Sequence, residues 1–244
     1  MTYNKTRSRI QERREQRRRK GWVQSMFLIG IGAALMVGLL ILLTIIPSAA
    51  ETETSKIDWS QLTQETVRSD NGGIGFAVGD PDAPVTMVEY SDFSCRHCRD
   101  LSTVVHRLID TYVRQGNLRI IYKPIGFINP DYSRPAAKAA ICAGEQGMFW
   151  QMHDAIWSMS SPAQYTRTLL LDRAKSIGLD GQQFIACFDS SETDNEVDAV
   201  IAEAGELGIN STPTIFINGE PFPYRGLDEA YGDLSAKIDE LLGG

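Results

Sequence analysis

A chain of 244 residues, 43% hydrophobic and 23% charged, is long enough for one domain with a proper core plus appended segments. Its formal charge of −7 hides a division: the first twenty residues hold nine Lys and Arg against Glu12 and Glu15, net +7, and the rest holds fifteen basic against twenty-nine acidic residues, net −14. So acidic a main body has no electrostatic reason to seek nucleic acid, and that class of partner is excluded.

The basic run spans residues 1–21, and directly beside a membrane span it serves orientation and contact with anionic lipid rather than nucleic acid. From Met26 to Ile46 there are 21 positions without a charge, enough to cross a bilayer as a helix. The positive flank precedes this run, so the segment 22–47 reads as a single transmembrane anchor with a cytoplasmic N-terminus and an extracytoplasmic remainder. A cleaved signal peptide is the rival reading, because Ser48-Ala49-Ala50 offers small residues for cleavage, but the apolar run is long for a signal sequence. Residues 48–75 are polar with little apolar periodicity and read as a linker, with one helical turn around Trp59 to Val67. The remaining residues, 76–244, have the size of one domain, with no internal repeat or low-complexity block.

Within that domain Val85, Met87, Val88 and Tyr90 form a short apolar run, the mark of a buried strand. Ser91, Asp92 and Ser94 supply turn and helix-start chemistry. Leu101, Val104, Val105, Leu108, Ile109, Tyr112 and Val113 then recur at helical spacing over 94–115, until Gly116 stops the helix. Cys95 and Cys98 therefore sit in the first helical turn, where free N–H groups and the helix dipole favour a thiolate. The spacing lets the second thiol attack a mixed disulfide formed by the first. Cys95, the more exposed, is assigned as the nucleophile, with His97 beside it as a further source of positive charge, and Cys98 as the buried resolving thiol. Half a zinc site and a plain structural disulfide are the bland readings of this pair. Zinc needs two more ligands, and no second Cys-x-x-Cys or paired His motif exists. Covalent haem attachment needs His after the second Cys, where Arg99 stands. No metal or cofactor is implied.

Leu118 to Lys123 is a second strand, which makes a right-handed parallel strand–helix–strand unit. Helical stretches follow: Ala136 to Glu145 with Ser133 and Pro135 as start signals, then the Met148, Met152, Ile156 and Met159 face with Trp150 and Trp157. Core packing explains this Met and aromatic stripe better than a ligand site. Three more helices fit Thr168 to Ile177, Gln182 to Phe188 and Glu196 to Leu207. His106 and His153, with no clear partner, read as structural. The run from Thr212 to Glu220 reads as a strand leading into an Asn218-Gly219 hairpin turn with its partner near Pro221 to Tyr224, and a closing helix covers Asp228 to Leu242. Once the Cys-x-x-Cys pair is set aside, Cys142 and Cys187 remain. Both lie on predicted helices in an oxidising compartment, which points to a structural disulfide closing a loop of 46 residues, with two buried free thiols as the alternative.

From about residue 76 to 244 the chain resembles the DsbA-like thiol–disulfide oxidoreductases of the thioredoxin-fold superfamily, in membrane-anchored form. The resemblance rests on Gly79-Asp-Pro-Asp-Ala-Pro-Val-Thr, Asp92-Phe-Ser-Cys-Arg-His-Cys, Gln146-Gly-Met-Phe-Trp-Gln-Met-His-Asp and Ile209-Asn-Ser-Thr-Pro-Thr-Ile-Phe-Ile-Asn-Gly. It implies an α/β thioredoxin fold with a helical insertion at about 132–207. It also implies a cis proline beside the redox pair, which falls on Pro213, with the Thr212 backbone free to pair with a substrate peptide. Glu89, six residues before Cys95, matches the family's buried acid and becomes the proton acceptor for the second thiol. Arg96 departs from the family, which often has Pro there. The implied function is disulfide donation to exported cysteine-containing proteins, with recharging by a quinone-linked membrane oxidant. The alternatives are a disulfide isomerase or reductase, and a non-catalytic metal chaperone using Cys95, His97 and Cys98. A monomer is expected, since no separate dimerisation domain fits between Pro47 and Phe76.

Overall fold

The computed structural model describes residues 57–223 and 226–244. The expected basic segment 1–21, the anchor 22–47 and the start of the linker lie outside these residues, as does Tyr224. Among the described residues no helix is long and apolar enough to cross a membrane.

Six strands form one sheet in the order β1-β2-β4-β3-β5-β6: β1 Gln64–Arg68, β2 Ile74–Val78, β3 Val85–Ser91, β4 Leu118–Pro124, β5 Thr214–Ile217 and β6 Glu220–Phe222. Only β3 and β4 run parallel, joined by helix α1, Arg96–Leu108, in the predicted crossover. The other neighbours are antiparallel. Strand β3 is central, with Glu89 opposite Tyr122 on β4 and Ile215 on β5. The apolar stripe of α1 is buried against the sheet. The helix reaches only Leu108 before widening into a π turn, Ile109–Val113, which turns Tyr112 toward the last helix: its hydroxyl donates to Asp239 at 2.9 Å.

Between β4 and β5 lie five helices: α2 Pro130–Glu145, α3 Phe149–Trp157, α4 Arg167–Ser176, α5 Gly181–Phe188 and α6 Ser191–Glu206. Helix α2 starts six residues before the predicted Ala136 because Pro130 occupies the first helical position, where the missing N–H is no loss. Pro135 is tolerated inside it. Any Cβ on Gly144 would collide with the ring of Phe76, so this glycine lets α2 lie directly on β2. Met152, Ile156 and Met159 are buried, and the methionine stripe is core. Helix α7, Leu227–Leu241, closes the domain.

The linker reading of 48–75 is corrected from residue 57 onward. Trp59 opens a short 3-10 turn, Trp59–Gln61, and β1 pairs with β2 along its whole length. Trp59 is buried, stacked on Trp150 at 5.3 Å. An edge strand with one wet face needs no apolar run, because main-chain pairing supplies its hydrogen bonds. Its residues, Gln-Glu-Thr-Val-Arg, therefore pass for a tether in the sequence.

Candidate active site

Strand β3 delivers the chain to a tight turn held by Asp92. Its carboxylate accepts from the Ser94 N–H at 2.8 Å and the Ser133 hydroxyl at 2.6 Å. It also accepts from the N–H groups of Phe127 at 3.1 Å and Ile128 at 2.9 Å. The Cys95 N–H donates to the Asp92 carbonyl at 2.9 Å, so one buried residue aims the turn and ties it to the start of the insertion. Sequence reasoning gave Asp92 only turn chemistry. Its four partners lie up to 41 residues away.

Cys95 is the N-cap of α1 and is half-buried, whereas Cys98 lies inside the first turn, 1% exposed; the two are separate thiols. The Cys95 thiol is pulled down to about 5, first because the Cys98 thiol donates to its sulfur, then because the Thr212 side chain and the Cys98 and His97 amides favour the anion. Burial opposes this shift. The Cys98 thiol moves far upward, because burial penalises its charge and because its proton is engaged by Cys95. The pair is thus asymmetric, a half-buried thiolate beside a buried thiol, chiefly through the Cys98 thiol and the Thr212 segment, with the amides of the helix start adding to them. His97 acts on Cys95 through its backbone N–H, and its side chain is exposed.

Facing the pair, the Thr212–Pro213 peptide bond is cis, and the Thr212 carbonyl accepts from the Cys95 thiol at 3.3 Å. An open groove of about 750 Å³ runs from His97 past Thr212 and Pro213 to Phe222 and Leu227. Below the pair, Glu89 is buried at the centre of the sheet, and burial raises its carboxyl to about 7; the nearby Ser91 hydroxyl opposes the shift and the Cys95 charge adds to it.

Arg99, one residue past Cys98, fastens α1 to the insertion. Its guanidinium donates to the carbonyls of Trp157 at 2.6 Å and Met159 at 2.9 Å and to the Tyr165 hydroxyl at 3.2 Å. Tyr165 in turn donates to the Phe93 carbonyl at 3.2 Å. The histidines read as partnerless have partners. His106 Nε2 and His153 Nδ1 both meet Asp154 Oδ1 at 2.9 Å, and Trp59 Nε1 donates to Oδ2 at 2.9 Å. These three groups have metal-ligand types within 4.8 Å of one another. Trp157 Nε1, however, donates to His153 Nε2 at 2.9 Å, which places the His153 proton on Nδ1, toward the carboxylate. The cluster is a hydrogen-bond hub in which both ring nitrogens of His153 are engaged. Cys142 on α2 and Cys187 on α5 are joined by a disulfide with Cα atoms 5.7 Å apart.

A parallel crossover carrying a Cys-x-x-Cys helix start, a facing cis proline and a helical insertion define a DsbA-like dithiol domain. The chain belongs to the thioredoxin family, whose model matches residues 72–240. It is 31% identical over 150 residues to a probable disulfide bond formation protein D of Bacillus anthracis, covering 59% of this chain and 69% of that one. It is 32% identical over 143 residues to a Na(+)/H(+) antiporter NhaA 1 of Salinispora arenicola, where the match covers 58% of this chain but spans only 21% of the antiporter. Among solved structures, a thioredoxin-like oxidoreductase from Silicibacter pomeroyi is 26% identical with a TM-score of 0.59, over 72% of this chain and 95% of the other.

Proposed function

We propose that this protein is an extracytoplasmic thiol–disulfide oxidoreductase that donates the Cys95–Cys98 disulfide to exported cysteine-containing proteins. The observation that carries the reading is the asymmetry of the pair: Cys95 half-buried at the helix N-cap, its thiol pulled down to about 5, beside a Cys98 thiol that is buried and pushed up, with the Thr212 carbonyl facing the Cys95 sulfur. A substrate thiolate attacks the Cys95 sulfur of the oxidised pair, and the Cys95–Cys98 bond breaks with its electrons on Cys98. Glu89, raised to about 7, is protonated often enough at neutral pH to neutralise the departing Cys98. The substrate's second thiolate then attacks the substrate sulfur of the mixed disulfide, and Cys95 leaves as a stabilised thiolate. A low leaving-group pKa speeds this step and makes the reduced protein the stable form, as an oxidant requires. Thr212 and Pro213 form the docking edge for the peptide, which lies in the groove beside His97.

Residues 22–47 act as a membrane anchor that leaves residues 1–21 cytoplasmic and the catalytic domain outside. That placement keeps a monomeric enzyme near a quinone-linked membrane oxidant that recharges it. The test is a Cys98→Ser variant, which traps substrates on Cys95 as mixed disulfides, paired with thiol titration of the reduced wild type. A Cys95 that titrates near the ordinary value of about 8.5 removes the physical basis of the oxidase assignment. A measured Cys95–Cys98 potential near that of thioredoxin, about −270 mV, points to a reductase instead.

A further inference from the structure

Glu89 and Ser91 are two residues apart on β3 and share one face of the sheet, and Tyr122 stands beside Glu89 in register on β4. All three are at most 1% exposed. Each carries a buried oxygen with no hydrogen-bond partner: Glu89 Oε2, Ser91 Oγ and the Tyr122 hydroxyl. Buried polar atoms are nearly always paired, so three orphans on one patch of sheet mark a site with work other than packing. Ser91 sits at its centre, within the influence of the Glu89 carboxyl, the Cys98 thiol and the Tyr122 phenol, while it forms a regular hydrogen bond with none of them. The other acid nearby, Asp92, is saturated by its four donors and has no lone pair to offer. Cys95, the remaining titratable neighbour, faces Thr212.

Building on the disulfide-exchange reading above, we propose that the Ser91 hydroxyl is the proton relay between the Cys98 sulfur and the Glu89 carboxyl. A hydroxyl both donates and accepts, so it can do at one moment what Cys98, cut off from water, cannot do alone. When the Cys95–Cys98 bond breaks and the Cys95–substrate bond forms, Ser91 gives its proton to the Cys98 thiolate and takes the carboxyl proton of Glu89. The products of the transfer are a Cys98 thiol and a Glu89 carboxylate. When Cys98 attacks a mixed disulfide, the same protons move in reverse, with Tyr122 as the phenol lining the charged carboxylate.

The experiment is stopped-flow reduction of the oxidised protein by dithiothreitol from pH 5 to 8, in H₂O and D₂O. Ser91→Ala is expected to slow reduction about tenfold below pH 7 and to flatten the pH profile. The variant is also expected to lose most of the solvent isotope effect, with Cys95 titrating as before. Ser91→Thr, which keeps the hydroxyl, restores the profile, and Ser91→Ala combined with Glu89→Gln is no slower than the slower single variant. A Ser91→Ala protein with the wild-type rate and pH profile overturns the relay, and so do losses in the double variant that multiply. A wild-type protein that does not exchange with dithiothreitol at all overturns the parent reading instead.

Discussion

The molecule holds two cysteine pairs in opposite situations. Cys95 and Cys98 lie three residues apart at the start of a helix, where amides without helical partners favour an anion and a carbonyl from another element faces the sulfur. Cys142 and Cys187 lie 45 residues apart, and Cys142 is deep in α2, where the backbone N–H groups are spent on the helix itself. Thr193 Oγ lies 3.3 Å from the Cys187 sulfur, but its proton goes to the Cys187 carbonyl at 2.7 Å. The same element therefore does two jobs, and the choice is made by the backbone around it rather than by the sulfur.

The sharpest way to test that contrast is to remove each pair separately. Cys95→Ala should lower disulfide exchange with a model dithiol by more than about a thousandfold, since it removes the proposed nucleophile. Replacing Cys142 and Cys187 together by Ala should leave the exchange rate within about twofold but lower stability by about 4 kcal/mol, the chain-entropy value for a loop of this length. Urea unfolding and a dithiol assay on both variants read the two effects, and an exchange loss in the second variant merges the two roles. A smaller effect separates reactivity from stability within the first site. Glu89, raised to about 7, binds more protons folded than unfolded between its ordinary value near 4.5 and 7. Stability therefore falls as pH rises through that window, and Glu89→Gln should remove the slope and stabilise the protein above pH 7 by up to about 3 kcal/mol. Thermal unfolding from pH 4 to 8 checks it; a variant as pH-dependent as the wild type locates the slope elsewhere. The smallest effect belongs to the surface of the same helix. Arg96 meets Asp100 only at 3.9 Å and is almost fully exposed, so Arg96→Ala should change the unfolding midpoint by less than the equivalent of about 0.5 kcal/mol.

What could be read in advance follows the range of the interaction concerned. The strand–turn–helix around Cys95 is local: Val85 to Tyr90 announce a buried strand and Leu101 to Val113 a helix face, so the position of Cys95 on a helix start is visible within 30 residues. The edge strand β1 is not, because Gln64, Glu65 and Arg68 show no apolar period and the strand exists through its pairing with β2. Asp92, Arg99 and Asp154 escaped for the same reason in another form. Each looks like an ordinary surface residue until partners 35 to 95 positions away arrive. Ser91 left one usable trace: it stands two residues from Glu89 on a strand, and the alternation of the pleat alone puts both on one face.

Three of the chain's four tryptophans, Trp59, Trp150 and Trp157, gather around His153. Trp157 also packs at 4.8 Å against Phe93, two residues before Cys95. Light emitted by the described tryptophans therefore comes from one small neighbourhood that touches both the Trp59 turn and the approach to Cys95. Intrinsic fluorescence is the natural gauge of this neighbourhood: a change in emission on opening or closing the Cys95–Cys98 bond is expected through the Phe93–Trp157 contact, and would be recorded without any attached dye.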